Sequence, residues 1–189
     1  MRVIAGKCRS LPLKTLEGRQ TRPTTDRIKE TLFNMLQPYI PGCRFLDLFA
    51  GSGAIGIEAL SRGASFCCFV EQNRKAAACI RDNLEFTGLT EDSRLLIADA
   101  RAVALQLGSE EPFDLVFMDP PYDHGLERQV LEQIKDSGCV SPETLFVVEA
   151  SLHTDFSWLE AAGYQIIKEK KYKTNAHLFL KLLGERNEL

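Results

Sequence analysis

The chain has 189 residues, of which 44% are hydrophobic, and its formal net charge is −3. This length is enough for one domain with a buried core, and no apolar run approaches the ~18 residues that a membrane span needs. Residues 1–30 lack the apolar segment of a signal peptide, so we expect a cytoplasmic protein without membrane contact. Six cysteines without a C-x-x-C pair and three scattered histidines predict buried reduced thiols and no metal site.

Charge is distributed unevenly along the chain. Residues 1–29 carry a net charge of +6, whereas the remaining 160 residues carry −9. A basic end on an acidic domain favours contact with a polyanion, although an ordinary solvated terminus is an equally good interpretation of charge alone. Thr24 and Asp26 predict a helix start, and that helix runs to about Tyr39. We therefore divide the chain into a basic extension with a first helix, residues 1–41, and a main domain, residues 42–189.

Strand-length apolar runs alternate with helix-period segments from Cys43 onward. This alternation predicts βαβ units around a buried parallel sheet. After Gly163, two further strands with a short connection predict an antiparallel hairpin, which the all-parallel dinucleotide fold lacks. The first five strands are predicted at 43–49, 65–71, 94–99, 113–119 and 145–150, the last two at 164–172 and 176–183, and the helices between them at 54–62, 74–87, 100–107, 126–137 and 156–162.

A glycine-rich turn follows the first predicted strand. Gly51-x-Gly53-x-x-Gly56 lets the backbone turn sharply and approach a ligand, and the helix start beyond it favours a polar or anionic ligand portion. Glu71 closes the next strand, where its carboxylate can accept hydrogen bonds from ribose hydroxyls. The same spacing matches the dinucleotide fingerprint, so NAD binding is a serious alternative.

Two carboxylates favour a different ligand from NAD. Asp47 precedes the turn by four residues and could face a cationic amino group, such as that of a bound methionine moiety, whereas it would repel a pyrophosphate. Asp99 ends the third strand and could accept a hydrogen bond from an adenine amine. Asp99 could also serve as a helix N-cap before Ala100.

The sequence Asp119-Pro120-Pro121-Tyr122 directly follows the fourth predicted strand. Alone it is more often a turn, but ligands of open α/β sheets bind outside the carboxyl ends of the strands, which would set it beside the glycine loop. The Asp119 carboxylate and the Pro120 carbonyl could hold the two N–H bonds of a base's exocyclic amine and localise its lone pair. Tyr122 offers a flat face for stacking an unpaired or flipped base.

Together these motifs resemble the bacterial 16S ribosomal RNA guanine-N2 methyltransferase family, the RsmD type. The resemblance covers essentially the whole chain. Its family-specific part is N-terminal, and the two motifs in the main domain occur across many amino-methyltransferases. Cys8 and Ser10 stand where an aromatic residue and a glycine are expected. The matching segments are residues 2–7 (RVIAGK), 22–27 (RPTTDR), Phe33-Asn34, 46–53 (LDLFAGSG) and 119–122 (DPPY).

The resemblance implies a Rossmann-like class I methyltransferase with a mostly parallel seven-stranded sheet, a C-terminal antiparallel hairpin and a short N-terminal extension. Its cofactor would be S-adenosyl-L-methionine, and its substrate one guanine of the small ribosomal subunit or its precursor. We expect a monomer with Asp119, Pro120 and Tyr122 as catalytic residues. The expected cofactor contacts are Asp47, Phe49, Gly51, Gly53, Glu71, Asp99 and Ala100, and the expected RNA contacts are Arg9, Arg22, Arg27 and Tyr122.

Three alternatives stay open at this point. The Asp-Pro-Pro-Tyr motif serves adenine-N6 methylation of RNA or DNA equally well, although 189 residues leave little room for a domain that reads a DNA sequence. An NAD-dependent oxidoreductase and a catalytically silent nucleotide-binding module belong to other classes of protein, and both would use the glycine loop without needing Asp119.

Overall fold

The structure, a computed structural model, describes residues 1–16, 26–108, 111–122 and 124–184. They form two compact units, Met1–Ala100 and Arg101–Leu189. The first unit contains helices α1 (Asp26–Leu36), α2 (Ala54–Ser61) and α3 (Arg74–Thr87) and strands β1 (Arg44–Leu48), β2 (Phe66–Val70) and β3 (Ser93–Leu96). The second contains helices α4 (Val103–Leu107) and α5 (Leu126–Ile134) and strands β4 (Leu115–Met118), β5 (Leu145–Ser151), β6 (Tyr164–Lys171) and β7 (Asn175–Leu182). Short 3-10 helices cover Gln37–Tyr39 and Ala100–Ala102.

The strands follow the order β3-β2-β1-β4-β5-β7-β6 in one seven-stranded sheet. Strand β2 pairs in parallel with β1 and β3, and β4 pairs in parallel with β5. Strand β7 is antiparallel to both β5 and β6. The predicted mostly parallel seven-stranded sheet with a C-terminal antiparallel hairpin is therefore confirmed.

Local sequence explains why the elements begin and end where they do. The strand β4 is buried along its whole length, as expected of a strand covered on both faces. Helix α3 begins after Asn73, whose side-chain oxygen accepts hydrogen bonds from the N–H groups of Lys75 and Ala76. It ends before Gly88, which adopts a φ of 69°. These two caps account for the agreement between the predicted and observed bounds of this helix.

Residues 1–16 pack onto helix α2 of the first unit. The chain turns back so that Val3 N donates to Leu11 O at 3.0 Å and Ser10 N donates to Val3 O at 2.9 Å. The carboxylate of Glu58, fully buried in α2, accepts the backbone N–H groups of Ile4 and Ala5 at 2.8 and 3.0 Å. The N-terminal extension is thus held by a buried polar anchor.

Two predicted elements differ from the observed ones. The helix predicted at 156–162 is observed as successive turns over residues 157–163, with hydrogen bonds such as Leu159 N to Phe156 O, and the segment ends at Gly163, whose φ is 90°. The third strand ends at Leu96 and stops short of Asp99, which directly precedes the 3-10 helix Ala100–Ala102. The predicted helix start at Thr24 lies outside the described residues.

All six cysteines are free and buried, as predicted. Within the described part of the chain, no helix is long and apolar enough to cross a membrane. No group of three or more His, Cys, Asp or Glu side chains among those residues could hold a metal ion.

Candidate active site

The loop after β1 has an unusual backbone. Phe49 adopts a φ of 64°, which is rare for a residue other than glycine, and Gly51 and Gly53 adopt φ values of 59° and 79°. A bulky residue in this left-handed region carries strain of about 1–3 kcal/mol, and such strain is concentrated at ligand-binding sites. The loop is therefore a candidate ligand cradle on conformational grounds as well as on sequence.

The three motif glycines serve different purposes. A Cβ on Gly51 would have the Phe49 carbonyl oxygen, at 3.9 Å, as its nearest described neighbour, so the backbone here is open to a ligand. A Cβ on Gly56 would come within 2.3 Å of the Phe69 ring, so this glycine allows α2 to pack closely on β2. Gly51 thus fits the predicted role in ligand approach, and Gly56 a role in helix–strand packing.

Asp47 lies in β1 beneath the loop and is almost completely buried. Its Oδ2 accepts a hydrogen bond from Gly56 N at 2.9 Å. Burial, the largest cause, raises the pKa of Asp47 from 3.8 to about 7; the Gly56 hydrogen bond opposes this rise and the charge of Glu71 adds to it. Burial makes the charged form of this carboxyl group unfavourable, and the group lies next to an open loop. Both features suit a role in holding a cationic group.

Glu71 closes the cradle at the end of β2. Its Oε2 accepts from Gly51 N at 2.9 Å, and its Oε1 accepts from Asn73 N at 2.7 Å. Each carboxylate oxygen has two acceptor positions, so one on each is left for a ligand hydroxyl. The loop is also held from α3, where Asn83 Nδ2 donates to the Ser52 carbonyl at 2.9 Å. Glu71 is one of the predicted cofactor contacts, whereas the contact of Asn83 with this loop was not anticipated from the sequence.

The remaining predicted cofactor contacts lie at the end of the same unit. Asp99 is partly exposed and Ala100 is buried, and the two residues sit where β3 passes into a 3-10 helix. This position is compatible both with a ligand contact and with the start of a helical turn.

In the second unit, Asp119-Pro120-Pro121-Tyr122 follows β4 directly. Asp119 is partly exposed, Pro120 is buried, and Tyr122 is 37% exposed. The Tyr122 hydroxyl donates to Glu149 Oε1 at 3.4 Å. The motif therefore presents a carboxylate and an aromatic ring at the carboxyl end of a buried strand.

A buried polar cluster behind Tyr122 was not anticipated from the sequence. Glu149 of β5 accepts from Asn175 Nδ2 at 2.6 Å and lies 2.9 Å from His177 Nε2, and both partners belong to β7. His177 Nδ1 lies 3.2 Å from the Tyr172 hydroxyl. The only sequence signal was the presence of polar residues within otherwise apolar strands.

The three arginines predicted to contact RNA all belong to the basic extension, residues 1–41. Arg9 and Arg27 are exposed on the first unit, whereas Arg22 lies outside the described residues. Arg2, which belongs to the same basic extension, pairs with Asp26 at 2.9 Å.

The sheet order, the strained glycine loop and the Asp-Pro-Pro-Tyr turn define a Rossmann-like class I methyltransferase. The chain belongs to the family described as Conserved hypothetical protein 95, whose model matches residues 1–181. Similarity to named proteins and solved structures extends over most of its length.

Two curated relatives carry the name Ribosomal RNA small subunit methyltransferase D. The Haemophilus influenzae protein is 36% identical over 171 residues, covering 90% of this chain and 88% of the relative. The Escherichia coli K12 protein is 35% identical over 170 residues, covering 90% and 84%. These relatives confirm the predicted resemblance to the RsmD type.

Solved structures agree with this family placement. The structure of yhhF from Escherichia coli has a TM-score of 0.84 and 32% identity, and the match covers 97% of this chain and 98% of that one. PH1948 from Pyrococcus horikoshii, at 17% identity, shares the fold with a TM-score of 0.73 and covers 91% of this chain and 94% of its own.

Proposed function

We propose that this protein transfers a methyl group from S-adenosyl-L-methionine to the exocyclic N2 amine of a guanine in small-subunit ribosomal RNA. The observation that carries the proposal is the Asp119–Tyr122 turn at the end of β4, in a chain whose relatives are named small-subunit ribosomal RNA methyltransferases. The glycine loop of the first unit supports the choice of cofactor.

The first unit supplies the cofactor-binding residues. When bound, S-adenosyl-L-methionine would supply an electrophilic methyl group on its sulfonium; the carbon–sulfur bond would break as the carbon–nitrogen bond forms, with S-adenosylhomocysteine as the leaving group and loss of one proton from the methylated amine. The open backbone at Gly51 fits close approach of a ligand, and we assign Asp47 to its amino group and Glu71 to its ribose hydroxyls. We assign Asp99 and Ala100 to the adenine. Phe49 and Gly53 hold the left-handed loop conformation that keeps these groups in place.

The second unit supplies the residues that activate the amine. An exocyclic nitrogen is a poor nucleophile because its lone pair is delocalised into the ring. The Asp119 carboxylate and the Pro120 carbonyl accept hydrogen bonds from its two N–H groups. These hydrogen bonds draw the nitrogen towards tetrahedral geometry and localise the lone pair. Proline fixes the backbone, so the carbonyl is aimed before the substrate arrives. Tyr122 stacks the base, and correct positioning then contributes much of the rate enhancement.

The RNA itself is held by charge. Arg9, Arg22 and Arg27 are proposed to contact phosphates of the small subunit or its precursor, and the protein is proposed to act as a monomer in the cytoplasm. A base paired within a helix cannot reach Asp119, so the target guanine must be unpaired or flipped.

Ribosomal RNA from a deletion strain and its parent tests the proposal. We expect mass spectrometry to show loss of one N2-methylguanine from 16S RNA and its return on complementation. Loss of an N6-methyladenine would instead identify an adenine enzyme. Calorimetric titration with S-adenosylhomocysteine and with NAD tests the cofactor, and binding of NAD alone would refute a methyltransferase function. Labelled-methyl assays on deproteinised RNA and on assembled subunits identify the substrate form.

Asp119→Ala tests the amine-binding role directly. Removing an acceptor that acts in the transition state should lower turnover by at least about 100-fold. Binding of S-adenosylhomocysteine should be unchanged, since Asp119 is not assigned to the cofactor. Glu143→Gln removes an exposed carboxylate of the same unit and should behave as wild type. Near-normal turnover of Asp119→Ala would contradict the role.

A further inference from the structure

The buried cluster around Glu149 joins two strands of the second unit to the Asp119–Tyr122 turn. Glu149 of β5 lies opposite His177 of β7 in the strand register. Its Oε1 accepts from Asn175 at 2.6 Å, and its Oε2 lies 2.9 Å from His177 Nε2. His177 is fully buried, and Glu149 and Asn175 are nearly so. A buried carboxylate needs such partners, because an unpaired charge in the interior is costly.

The hydrogen bonds within the cluster have a consistent direction. The Tyr172 hydroxyl lies 3.2 Å from His177 Nδ1 and can donate to it, which leaves Nε2–H to donate to Glu149. Burial, and secondarily the Glu149 charge, raises the pKa of Tyr172 to about 12, so its hydroxyl keeps its proton at neutral pH. The imidazole thus connects the tyrosine to the carboxylate and fixes the orientation of the carboxylate.

The oriented carboxylate faces the candidate base-binding residue. Glu149 Oε1, which is held by Asn175, also accepts from the Tyr122 hydroxyl at 3.4 Å. The β4–β5 register ends at the pair Met118 and Val148. Asp119 directly follows β4 and Glu149 is the next residue of β5, so the two residues come directly after the last paired position of the two strands.

We propose that Glu149 is a positioning residue that acts through the Tyr122 hydroxyl and fixes the tyrosine ring for stacking of the target base. This inference rests on the proposed function. Tyr122 lies in a turn and is 37% exposed. Tethering its hydroxyl to an anchored carboxylate restricts rotation of the ring before the base binds. A preorganised ring keeps the amine within reach of Asp119, and correct positioning of the reacting nitrogen is a geometric requirement of the transfer.

A purely structural role for Glu149 predicts different behaviour. In that case the cluster would only join β5 to β7, and replacing Glu149 would lower stability without any dependence on Tyr122. A double-mutant cycle separates the two roles, because it measures whether one substitution changes the effect of the other.

The cycle uses the full chain as wild type, Glu149→Gln, Tyr122→Phe and the double variant. Methyl transfer is measured with deproteinised small-subunit RNA and with assembled small subunits. Each single variant should lower kcat by about 10-fold, the size expected for losing one hydrogen bond to a charged group. KM for RNA should change less than threefold, because the aromatic ring that stacks the base is retained. The double variant should be no slower than the slower single variant.

Binding of S-adenosylhomocysteine should stay within twofold of wild type in every variant, and Glu143→Gln is the matched carboxylate control. Effects that multiply to about 100-fold in the double variant would show that Glu149 does not act through Tyr122 and would overturn the inference. Should Glu149→Gln fail to fold, Tyr122→Phe decides alone, and near-normal kcat in that variant overturns the inference. A wild-type protein that binds the cofactor and methylates neither RNA substrate would refute the proposed function and this inference with it.

Discussion

Asp47, which lies in β1 next to the glycine loop, is expected to lower the stability of the protein and to help bind its ligand. A substitution at this position tests both effects. Its carboxylate is almost fully buried and its pKa is raised from 3.8 to about 7, chiefly by burial. Because the folded-state pKa lies above the unfolded one, the folded protein binds more protons between about pH 4 and 7. Stability therefore falls as pH rises through this interval. A difference of about three pKa units corresponds to about 4 kcal/mol, all of which is lost above pH 7.

Asp47→Asn removes this cost while keeping the local geometry. The amide oxygen can still accept from Gly56 N, the hydrogen bond that spans 2.9 Å in the native protein. We expect the variant to be about 2–4 kcal/mol more stable than wild type at pH 8, and this difference should shrink steadily as pH falls towards 4, where the carboxyl group is protonated in both the folded and the unfolded protein. Binding of S-adenosylhomocysteine should weaken by about 10- to 100-fold, since an amino group would lose a charged partner.

Urea unfolding at pH 5, 6, 7 and 8 measures the first effect, and calorimetric titration measures the second. Asp82→Asn, which removes an exposed carboxylate paired with Lys14, should reproduce neither effect. Equal pH dependence in wild type and Asp47→Asn would refute the argument from burial. Unchanged cofactor affinity would instead remove Asp47 from the ligand site and leave it a structural role.

The other predictions concern packing, strain and charge. Gly56→Ala should destabilise the protein by about 1–3 kcal/mol in urea unfolding, because its Cβ would overlap a ring of β2; Gly184→Ala, which meets no described atom within 4 Å, should be neutral. Ser10→Gly should raise stability by about 1 kcal/mol, because Ser10 has a φ of 68°; an unchanged melting temperature would contradict this. Replacing Arg9 and Arg27 with Gln should weaken RNA binding and flatten its salt dependence by about 1.4 in log–log slope, and an unchanged slope would assign them structural roles.

Local signals made the strands, the glycine loop and most helices predictable. Helix α3 carries its own caps, Asn73 and Gly88, so its bounds follow from a dozen neighbouring residues. The segment 156–162 has a helical pattern, but hydrogen bonds between residues three apart, such as those from Leu159 N to Phe156 O and from Gly163 N to Glu160 O, form successive turns there. Periodicity indicates which face is apolar, whereas the hydrogen bonds at the ends of a segment decide whether an α-helix forms.

Contacts between residues distant in sequence were not predictable. Glu58 receives the N–H of Ile4 from 54 positions away, and nothing around either residue indicates the other. Glu149 and His177 are 28 positions apart and meet because β5 and β7 pair in a particular register. A single sequence shows a polar residue in an apolar strand, but its partner depends on strand order and register, which are set by the whole sheet.

The basic extension shows why a charge count along a sequence differs from the charge that a partner meets. Lys7 and Lys14 of this segment pair with Asp92 and Asp82, and Lys29 is buried 3.0 Å from Glu58. Folding therefore compensates much of the +6 carried by residues 1–29 with carboxylates of the same unit. Among the described residues of that segment, Arg9 and Arg27 are the proposed RNA contacts that stay exposed. A phosphate contact from each arginine would contribute about 0.7 to the log–log salt slope on single-stranded RNA, so losing both contacts should lower the slope by about 1.4.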